Sequence, residues 1–169
     1  MVGFWCDMES NKRKQYAAEI IRLLMDHFPW EHIHHRQFFF GYGSHFCISE
    51  IEERNALVIE YADCKEDAEK GTLEDGDLFC VEEWDLQSMY AAMLREIFGD
   101  DGDFDLYELF GHNVMIIDKE NGHCYGEIIE IADQEDGEPE ESITIELDSG
   151  KTRGFYKSEL LLLRDCGPA

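Results

Sequence analysis

The chain has 169 residues, of which 39 are Asp or Glu and 14 are Lys or Arg, so its formal net charge is -25 at pH 7. A chain this acidic lacks the basic face that neutralises nucleic-acid phosphates, and anionic membranes repel it, so we expect neither as a partner. Hydrophobic residues still make up 44% of the sequence, which is too much for an acidic disordered tail. The excess charge therefore surrounds a folded core of one ordinary domain or two small ones.

The spacing of apolar residues predicts a first helix from Ser10 to Phe28, with Ser10 as its N-cap and Pro29 as its stop. The residues that recur every three or four positions are Tyr16, Ala17, Ile20, Ile21, Leu24 and Phe28. The basic residues 12–14 would then lie in the first turn, where the helix dipole disfavours positive charge. They are either a tolerated exposed cluster or contacts for acidic groups.

Strand character follows in three segments rich in Phe, Ile, Val and Tyr: 36–42, 45–52 and 56–61. Residues 53–55 provide the turn of a hairpin between the second and third segments. Gly41-Tyr42-Gly43 lacks the rest of a phosphate-binding loop, so we interpret it as a bend between strands. The polar segment 63–77 is predicted to be a loop, and 78–84 another strand.

Asp85 is the predicted N-cap of a second helix that ends at Phe98. Its apolar face comprises Leu86, Met89, Tyr90, Met93, Leu94 and Ile97. Residues 1–99 are therefore expected to form an α+β unit in which an antiparallel sheet lies between two helices in sequence. An acidic linker, 100–105, follows this unit.

The last part of the chain has short strand-like segments with turn signals between them, and it predicts a small five-stranded β-barrel over 106–165. The expected strands are 114–118, 125–133, 142–147, 153–156 and 160–163, and the turn dipeptides are Asn121-Gly122, Asp136-Gly137 and Ser149-Gly150. The fold class expected for the whole chain is therefore α+β.

Several short motifs in this last third share one layout: Phe110-Gly111-His112-Asn113-Val114, Gly126-Glu127-Ile128, the acidic segment 135–141, Ile143-Thr144-Ile145 and Lys157-Ser158-Glu159-Leu160. This layout resembles that of Sm-like small barrels, whose members bind nucleic acids or peptides. Residues 111–169 carry fourteen acids and five bases, unlike a nucleic-acid-binding copy. The resemblance therefore implies a scaffold without RNA-binding activity.

No catalytic or cofactor motif is recognisable, so we expect a non-enzyme with no catalytic residues, no cofactor and no metal site. Two patterns in the sequence could contradict this expectation. Asp101, Asp103 and Asp105 alternate as in a calcium loop, but the required Gly and the final Glu of that loop are absent. The histidine cluster His32, His34, His35 and His45 is the basis of an alternative hypothesis, a metal-binding protein or enzyme.

The acidic residues concentrate in the middle of the chain, where residues 61–110 hold sixteen acids and three bases. Carboxylates two residues apart on a strand lie about 6–7 Å apart, which is close to the spacing of charges along DNA. The expected partner-binding residues are Glu66, Asp67, Glu69, Glu74, Asp75, Asp77, Glu82, Glu83, Asp85, Asp101, Asp103 and Asp105. The alternative is a solvated coat that serves solubility.

These features predict an interaction protein that binds and inhibits a basic protein, such as a nuclease or another nucleic-acid-binding protein. Phe79, Trp84 and Phe104 would serve as its aromatic anchors if they are exposed. In size and charge the chain is similar to the anti-CRISPR and antirestriction DNA mimics of phages and mobile elements, which implies a CRISPR effector nuclease as one possible target. An immunity or adaptor protein that neutralises a basic toxin is the alternative.

A cytoplasmic location is expected, because no apolar run approaches the roughly 20 residues of a membrane span. The six cysteines form no C-x-x-C pair and are expected to be reduced and mostly buried.

Overall fold

In a computed structural model, the chain divides into two compact units, Met1–Gly99 (unit 1) and Asp100–Ala169 (unit 2). The structure describes residues 2–33, 38–99, 105–120 and 122–169, and it describes their side chains except at 2–10 and 32–33. Within these ranges the chain forms three α-helices and two antiparallel sheets. The expected mixed α+β class is confirmed.

In its described residues, unit 1 contains three helices and one antiparallel sheet with the strand order β1-β2-β3-β4-β5. Its elements are α1 (Val2–His27), β1 (Glu31–Ile33), β2 (Phe38–Gly41), β3 (Ser44–Ile51), β4 (Ala56–Tyr61), α2 (Lys65–Lys70), β5 (Glu74–Cys80) and α3 (Leu86–Phe98). The hairpin expected around residues 53–55 is present as β3 and β4, joined by a 3₁₀ turn at Glu52–Arg54.

Helix α1 begins eight residues before the predicted start, so the prediction of Ser10 as its N-cap is wrong. Its end agrees with the prediction, since it stops at His27, before Pro29. Residues 12–14 consequently lie inside the helix, beyond the first turn where the dipole penalty acts. The buried face includes Ile20 and Leu24, as the spacing predicts.

The segment Gly41-Tyr42-Gly43 closes the hairpin between β2 and β3, as the bend interpretation expects. Gly41 pairs with Ser44, which leaves Tyr42 and Gly43 as a two-residue loop. Both loop residues have positive φ angles, 54° and 78°. This is the type I′ turn, whose twist matches that of the flanking strands.

The prediction of a loop over 63–77 is wrong in two places. Residues Lys65–Lys70 form α2, and β5 begins at Glu74 rather than at residue 78. Ala68 is 1% exposed and anchors α2, while Glu74 pairs with Tyr61 of β4. Both elements depend on packing and pairing with distant residues, which local composition does not report.

Helix α3 follows its sequence signals closely. The side chain of Asp85 accepts a hydrogen bond from the N–H of Ser88 at 2.9 Å, so Asp85 is the N-cap. Gly99 ends the helix in the left-handed conformation, with φ at 71°. The buried face comprises Met89, Tyr90, Ala91, Met93, Leu94 and Ile97, whereas Leu86 is half-buried.

Unit 2 contains one antiparallel sheet with the strand order β10-β6-β7-β8-β9. The strands are β6 (His112–Asp118), β7 (Gly122–Ala132), β8 (Ser142–Leu147), β9 (Thr152–Tyr156) and β10 (Leu160–Pro168), and 3₁₀ turns occupy Leu106–Leu109, Gln134–Asp136 and Lys157–Glu159. The five predicted strands are all present. The last strand ends at Pro168, later than predicted, because its far end pairs with His112 of β6.

The strand order leaves β9 and β10 at the two edges of the sheet. Between the described residues of these two strands the structure records no ladder of hydrogen bonds, so a closed barrel is not shown. The main core cluster of the unit includes Val114, Ile116, Ile128, Ile145 and Phe155.

Two expectations concern the chain as a whole. None of the helices in the described ranges is long and apolar enough to cross a membrane. No disulfide joins the five cysteines whose side chains are described. Of these, Cys47 and Cys124 are buried but Cys64 and Cys166 are exposed, so the expectation of mostly buried thiols is only partly correct.

Candidate functional site

Helix α2 presents three of the predicted carboxylates. Glu66 and Asp67 occupy its first turn, where negative charge interacts favourably with the helix dipole. Ala68 is buried in a cluster with Phe38, Phe40, Cys47 and Ala62. Because Ala68 takes the inward position, Glu66 and Glu69 are exposed and Asp67 is half-buried.

Strand β5 carries three more of these carboxylates along an edge of the sheet. Glu74, Asp75 and Asp77 are all exposed. β5 is the last strand in the order of its sheet and pairs with β4. Acidic side chains on an edge strand discourage pairing with another sheet, which is a structural role for these residues.

A local irregularity in β5 fixes the position of Asp77. The register between β4 and β5 shifts near Gly76, and the N–H of Asp77 donates to Oε1 of Glu96 on α3 at 2.8 Å. Burial raises the pKa of Glu96, and the bond from Asp77 partly offsets this. Burial and the charge of Glu96 also raise the pKa of Tyr61. Glu96 therefore holds the irregular part of β5 against α3.

We use the name α2–β5 acidic face for the six carboxylates of these two elements, which follow each other in the chain: Glu66, Asp67, Glu69, Glu74, Asp75 and Asp77. No ion pair connects any of them to a cation in the described ranges. The same holds for Glu83, which is exposed. Their charge is therefore not neutralised by contacts with described basic side chains.

Other predicted partner-binding residues have contacts within unit 1. Glu82 lies 3.8 Å from Nζ of Lys12 and 3.5 Å from Nδ2 of Asn55. Asp85 caps α3, as described above. Both carboxylates are exposed, but their positions serve the attachment of α1 and the start of α3.

The three aspartates at the junction of the units are only partly described. Asp101 and Asp103 lie outside the described residues. Asp105 caps the 3₁₀ turn Leu106–Leu109 by accepting a hydrogen bond from the N–H of Tyr107 at 3.0 Å.

Two of the proposed aromatic anchors belong to the interior of unit 1. Phe79 is 4% exposed, so its expected role as an exposed anchor is wrong. Trp84 is half-buried, its ring centroid lies 5.4 Å from that of Phe79, and its carbonyl accepts a hydrogen bond from Tyr16. Phe104, the third, lies outside the described residues.

The histidine cluster is also only partly described. His34 and His35 lie outside the described residues, and for His32 the structure describes the backbone in β1. The ring of His45 is 5.0 Å from that of Phe40. In the part of the chain that the structure describes, no group of three or more His, Cys, Asp or Glu has an arrangement that could hold a metal ion.

An acidic cavity of about 590 Å³ lies in unit 2, between the β7–β8 connection and the turn before β10. Its lining comprises Asp133, Gln134, Glu135, Glu140, Glu141, Lys157 and Ser158. Glu140 accepts hydrogen bonds from the N–H and the hydroxyl of Ser158, at 2.8 and 2.9 Å. Lys157 lies 3.4 Å from Glu141. The cavity lining therefore contains four carboxylates and one lysine. Hydrogen bonds to Ser158 and the ion pair with Lys157 fix two of these carboxylates, Glu140 and Glu141.

None of these lining residues is among the partner-binding residues chosen from the sequence. The sequence shows the run 135–141 as one acidic segment among several. This segment differs from the other acidic segments because residues 157 and 158 lie beside it. Such a contact joins residues far apart in the chain, so no local sequence pattern indicates it.

Comparisons of the chain with protein-family models, with curated protein sequences and with solved structures gave no match.

Proposed function

We propose that this protein is an acidic interaction protein that binds a basic nucleic-acid-binding protein, such as a nuclease, and inhibits it by occupying the surface used for DNA. The observation that carries the proposal is the α2–β5 acidic face, whose six carboxylates have no ion-pair partner in the described ranges. A basic channel gains from such a face the same counterion release that it gains from DNA.

The arrangement of this face supports binding more than it supports solubility alone. The helix and the strand that carry its carboxylates are anchored by Ala68 and by the bond from the N–H of Asp77 to Glu96, so the backbone of both elements is held in place before a partner arrives. Pre-organisation lowers the entropy lost on association. A mobile acidic tail would provide solubility equally well without this anchoring.

Within this proposal, a CRISPR effector nuclease is the candidate target, the chain acts as an anti-CRISPR DNA mimic, and its place of action is the cytoplasm. Unit 2 is proposed to be an Sm-like small barrel that serves as a scaffold. The strand order β10-β6-β7-β8-β9 and the 3₁₀ turn just before β10 support this proposal.

The first experiment measures the affinity of the full chain for a purified CRISPR effector nuclease over a range of salt concentrations, with and without competing DNA. We expect the affinity to fall steeply with salt and DNA to displace the protein. Binding that is insensitive to salt, or that DNA does not displace, contradicts the mimic proposal. Tight binding without competition would favour the immunity or adaptor alternative.

The second experiment tests the α2–β5 acidic face with the triple variant Glu74→Lys, Asp75→Lys and Asp77→Lys. The matched control, Glu53→Lys, Glu146→Lys and Asp148→Lys, changes the net charge equally at exposed positions elsewhere. We expect the first variant to lose inhibition and the control to retain it. Equal losses in the two variants would show that only net charge matters.

A further inference from the structure

Two aromatic side chains, Tyr107 in the 3₁₀ turn Leu106–Leu109 and Phe110 directly after it, are exposed to solvent. Leu106 is 1% exposed and Leu109 packs against the core of unit 2, whereas Tyr107 and Phe110 are 50% and 57% exposed. The N–H of Phe110 donates to the carbonyl of Tyr107 at 3.4 Å, which keeps the two residues close together in the backbone. We call this pair of exposed aromatic side chains the aromatic shelf.

The aromatic shelf adjoins the acidic cavity through one hydrogen bond. The hydroxyl of Tyr107 donates to Oδ2 of Asp133, which lines the cavity. This bond, together with the charges of Asp133, Glu141 and Asp136, raises the pKa of Tyr107 to about 12. Tyr107 of the shelf is therefore in direct contact with one carboxylate of the cavity lining, Asp133.

An exposed aromatic surface beside several carboxylates has the chemistry of an arginine site. A guanidinium group stacks on aromatic rings and forms paired hydrogen bonds with carboxylates, whereas a lysine ammonium is a compact and strongly hydrated charge. The cavity lining contains four carboxylates and one lysine, so it complements a cation. A second copy of this chain, also at -25, is a poor occupant because of charge repulsion.

We propose that the aromatic shelf and the Asp133 end of the cavity form a docking site for an arginine-containing basic segment of a partner protein. The inference goes beyond the function proposed above, because it assigns a second surface, in unit 2, with a preference for one type of residue. An arginine lies over Tyr107 and Phe110 while its guanidinium group bonds to the carboxylates of the cavity.

The test uses the full chain and two fluorescently labelled peptides of the same length, one with four arginines and one with four lysines in place of them. Fluorescence anisotropy gives both dissociation constants at about 0.15 M salt, where diffuse surface charge is largely screened. We expect the arginine peptide to bind about five- to tenfold more tightly than the lysine peptide. Phe110→Ala should reduce its affinity about tenfold, to the level of the lysine peptide.

Two variants separate the shelf from other causes of weaker binding. Met25→Ala removes a similarly exposed apolar side chain, 53% exposed, from unit 1 and should leave the affinity unchanged. Tyr107→Phe keeps the ring but removes the bond to Asp133, and we expect an intermediate loss. Since Phe110 is mostly exposed, its substitution should leave the circular dichroism spectrum unchanged.

Equal binding of the two peptides, or full affinity in Phe110→Ala, would overturn the proposal in favour of diffuse attraction. Self-association that depends on Phe110, seen by sedimentation, would also overturn it, since a second copy would then be the occupant. The triple variant of Glu74, Asp75 and Asp77 should bind the arginine peptide normally while it loses nuclease inhibition. The two proposals can therefore fail independently.

Discussion

Arg13 of α1 donates through Nε to Oε1 of Glu50 on β3 at 2.9 Å, and its side chain is only 6% exposed. Its Nη1 also donates to Oδ1 of Asn55 at 3.2 Å. A basic residue of the cluster 12–14 thus contacts an acid of its own unit, which is one of the two interpretations that the sequence allows. The pair attaches α1 to the β3–β4 hairpin.

Removal of Glu50 leaves the guanidinium of Arg13 buried with Asn55 as its remaining partner. We expect Glu50→Ala to lower the free energy of unfolding of unit 1 by about 1–3 kcal/mol, the cost of an unsatisfied buried polar group. Arg13→Met should cost less, because it fills the space without leaving a charge. Tryptophan fluorescence during urea unfolding reports on this unit, since Trp5, Trp30 and Trp84 all belong to it. An equal or smaller loss in Glu50→Ala than in Arg13→Met would contradict this account.

Gly76 leaves the space that the side chain of Glu96 occupies. A Cβ atom at this position would lie 2.2 Å from Oε1 of Glu96 and 2.8 Å from Cε2 of Tyr61. We expect Gly76→Ala to cost about 1–3 kcal/mol, because Glu96 must give up its bond to Asp77 and the ring must move.

The double variant Gly76→Ala with Glu96→Ala is the control for this clash. Once the carboxylate is removed, the added methyl group should cost much less than it does alone, so the two changes are expected to be non-additive. Urea unfolding followed by tryptophan fluorescence measures all three variants. If the losses of unfolding free energy in the two single variants simply add up in the double variant, the cost of Gly76→Ala does not come from the clash with Glu96.

Glu96 should make the stability of unit 1 dependent on pH. Its pKa in the folded protein lies above the ordinary value of 4.5 because of burial, so the folded state binds the proton more tightly than the unfolded state. The contribution of Glu96 is therefore full below pH 4.5 and declines as the pH rises through the folded-state pKa. Glu96→Gln can still accept the bond from Asp77 but does not titrate.

The measurement compares the free energy of unfolding of the native chain with that of Glu96→Gln across this pH range. We expect the native chain to lose stability relative to the variant as the pH rises above 4.5. If the difference in free energy of unfolding between the two proteins does not change with pH, Glu96 has the same pKa in the folded and unfolded states.

The bond between Tyr107 and Asp133 should be visible in the titration of the carboxyl group. The hydroxyl of Tyr107 and the N–H of Glu135 hold the pKa of Asp133 below its ordinary value of 3.8. In Tyr107→Phe we expect this pKa to rise, as followed by the ¹³C chemical shift of the carboxyl carbon. Tyr156→Phe, which removes the hydroxyl that donates to Glu138, is the matched control and should leave Asp133 unchanged. Equal effects of the two variants would contradict the contact.

Elements with complete local signals could be predicted from the sequence. Helix α3 has a capping aspartate, an apolar stripe and a terminal glycine, and the strands of unit 2 have turn dipeptides between them. Helix α2 and the start of β5 could not be predicted, because acidic residues have low strand propensity and Glu74 is in a strand only through its pairing with Tyr61.

The candidate site could likewise be predicted from the sequence only in part. The α2–β5 acidic face consists of carboxylates already conspicuous in the sequence, but their exposure depends on packing. The sequence does not single out Tyr107 and Phe110 as partner-binding residues. Their signal in the sequence is weak. It consists of two aromatic residues three positions apart, each directly after a leucine, Leu106 or Leu109, that packs in the core of unit 2.

By itself, the sequence determined the net charge of -25, its concentration in residues 61–110, the mixed α+β class and the main helical and strand segments, since these follow from composition and local periodicity. Only the tertiary structure decided which carboxylates have ion-pair partners within the chain and which lie exposed. It also brought the chain at Lys157 and Ser158 back to the acidic segment to form a cavity. Such contacts join residues far apart in sequence, and their energies depend on packing and pairing that no local pattern encodes.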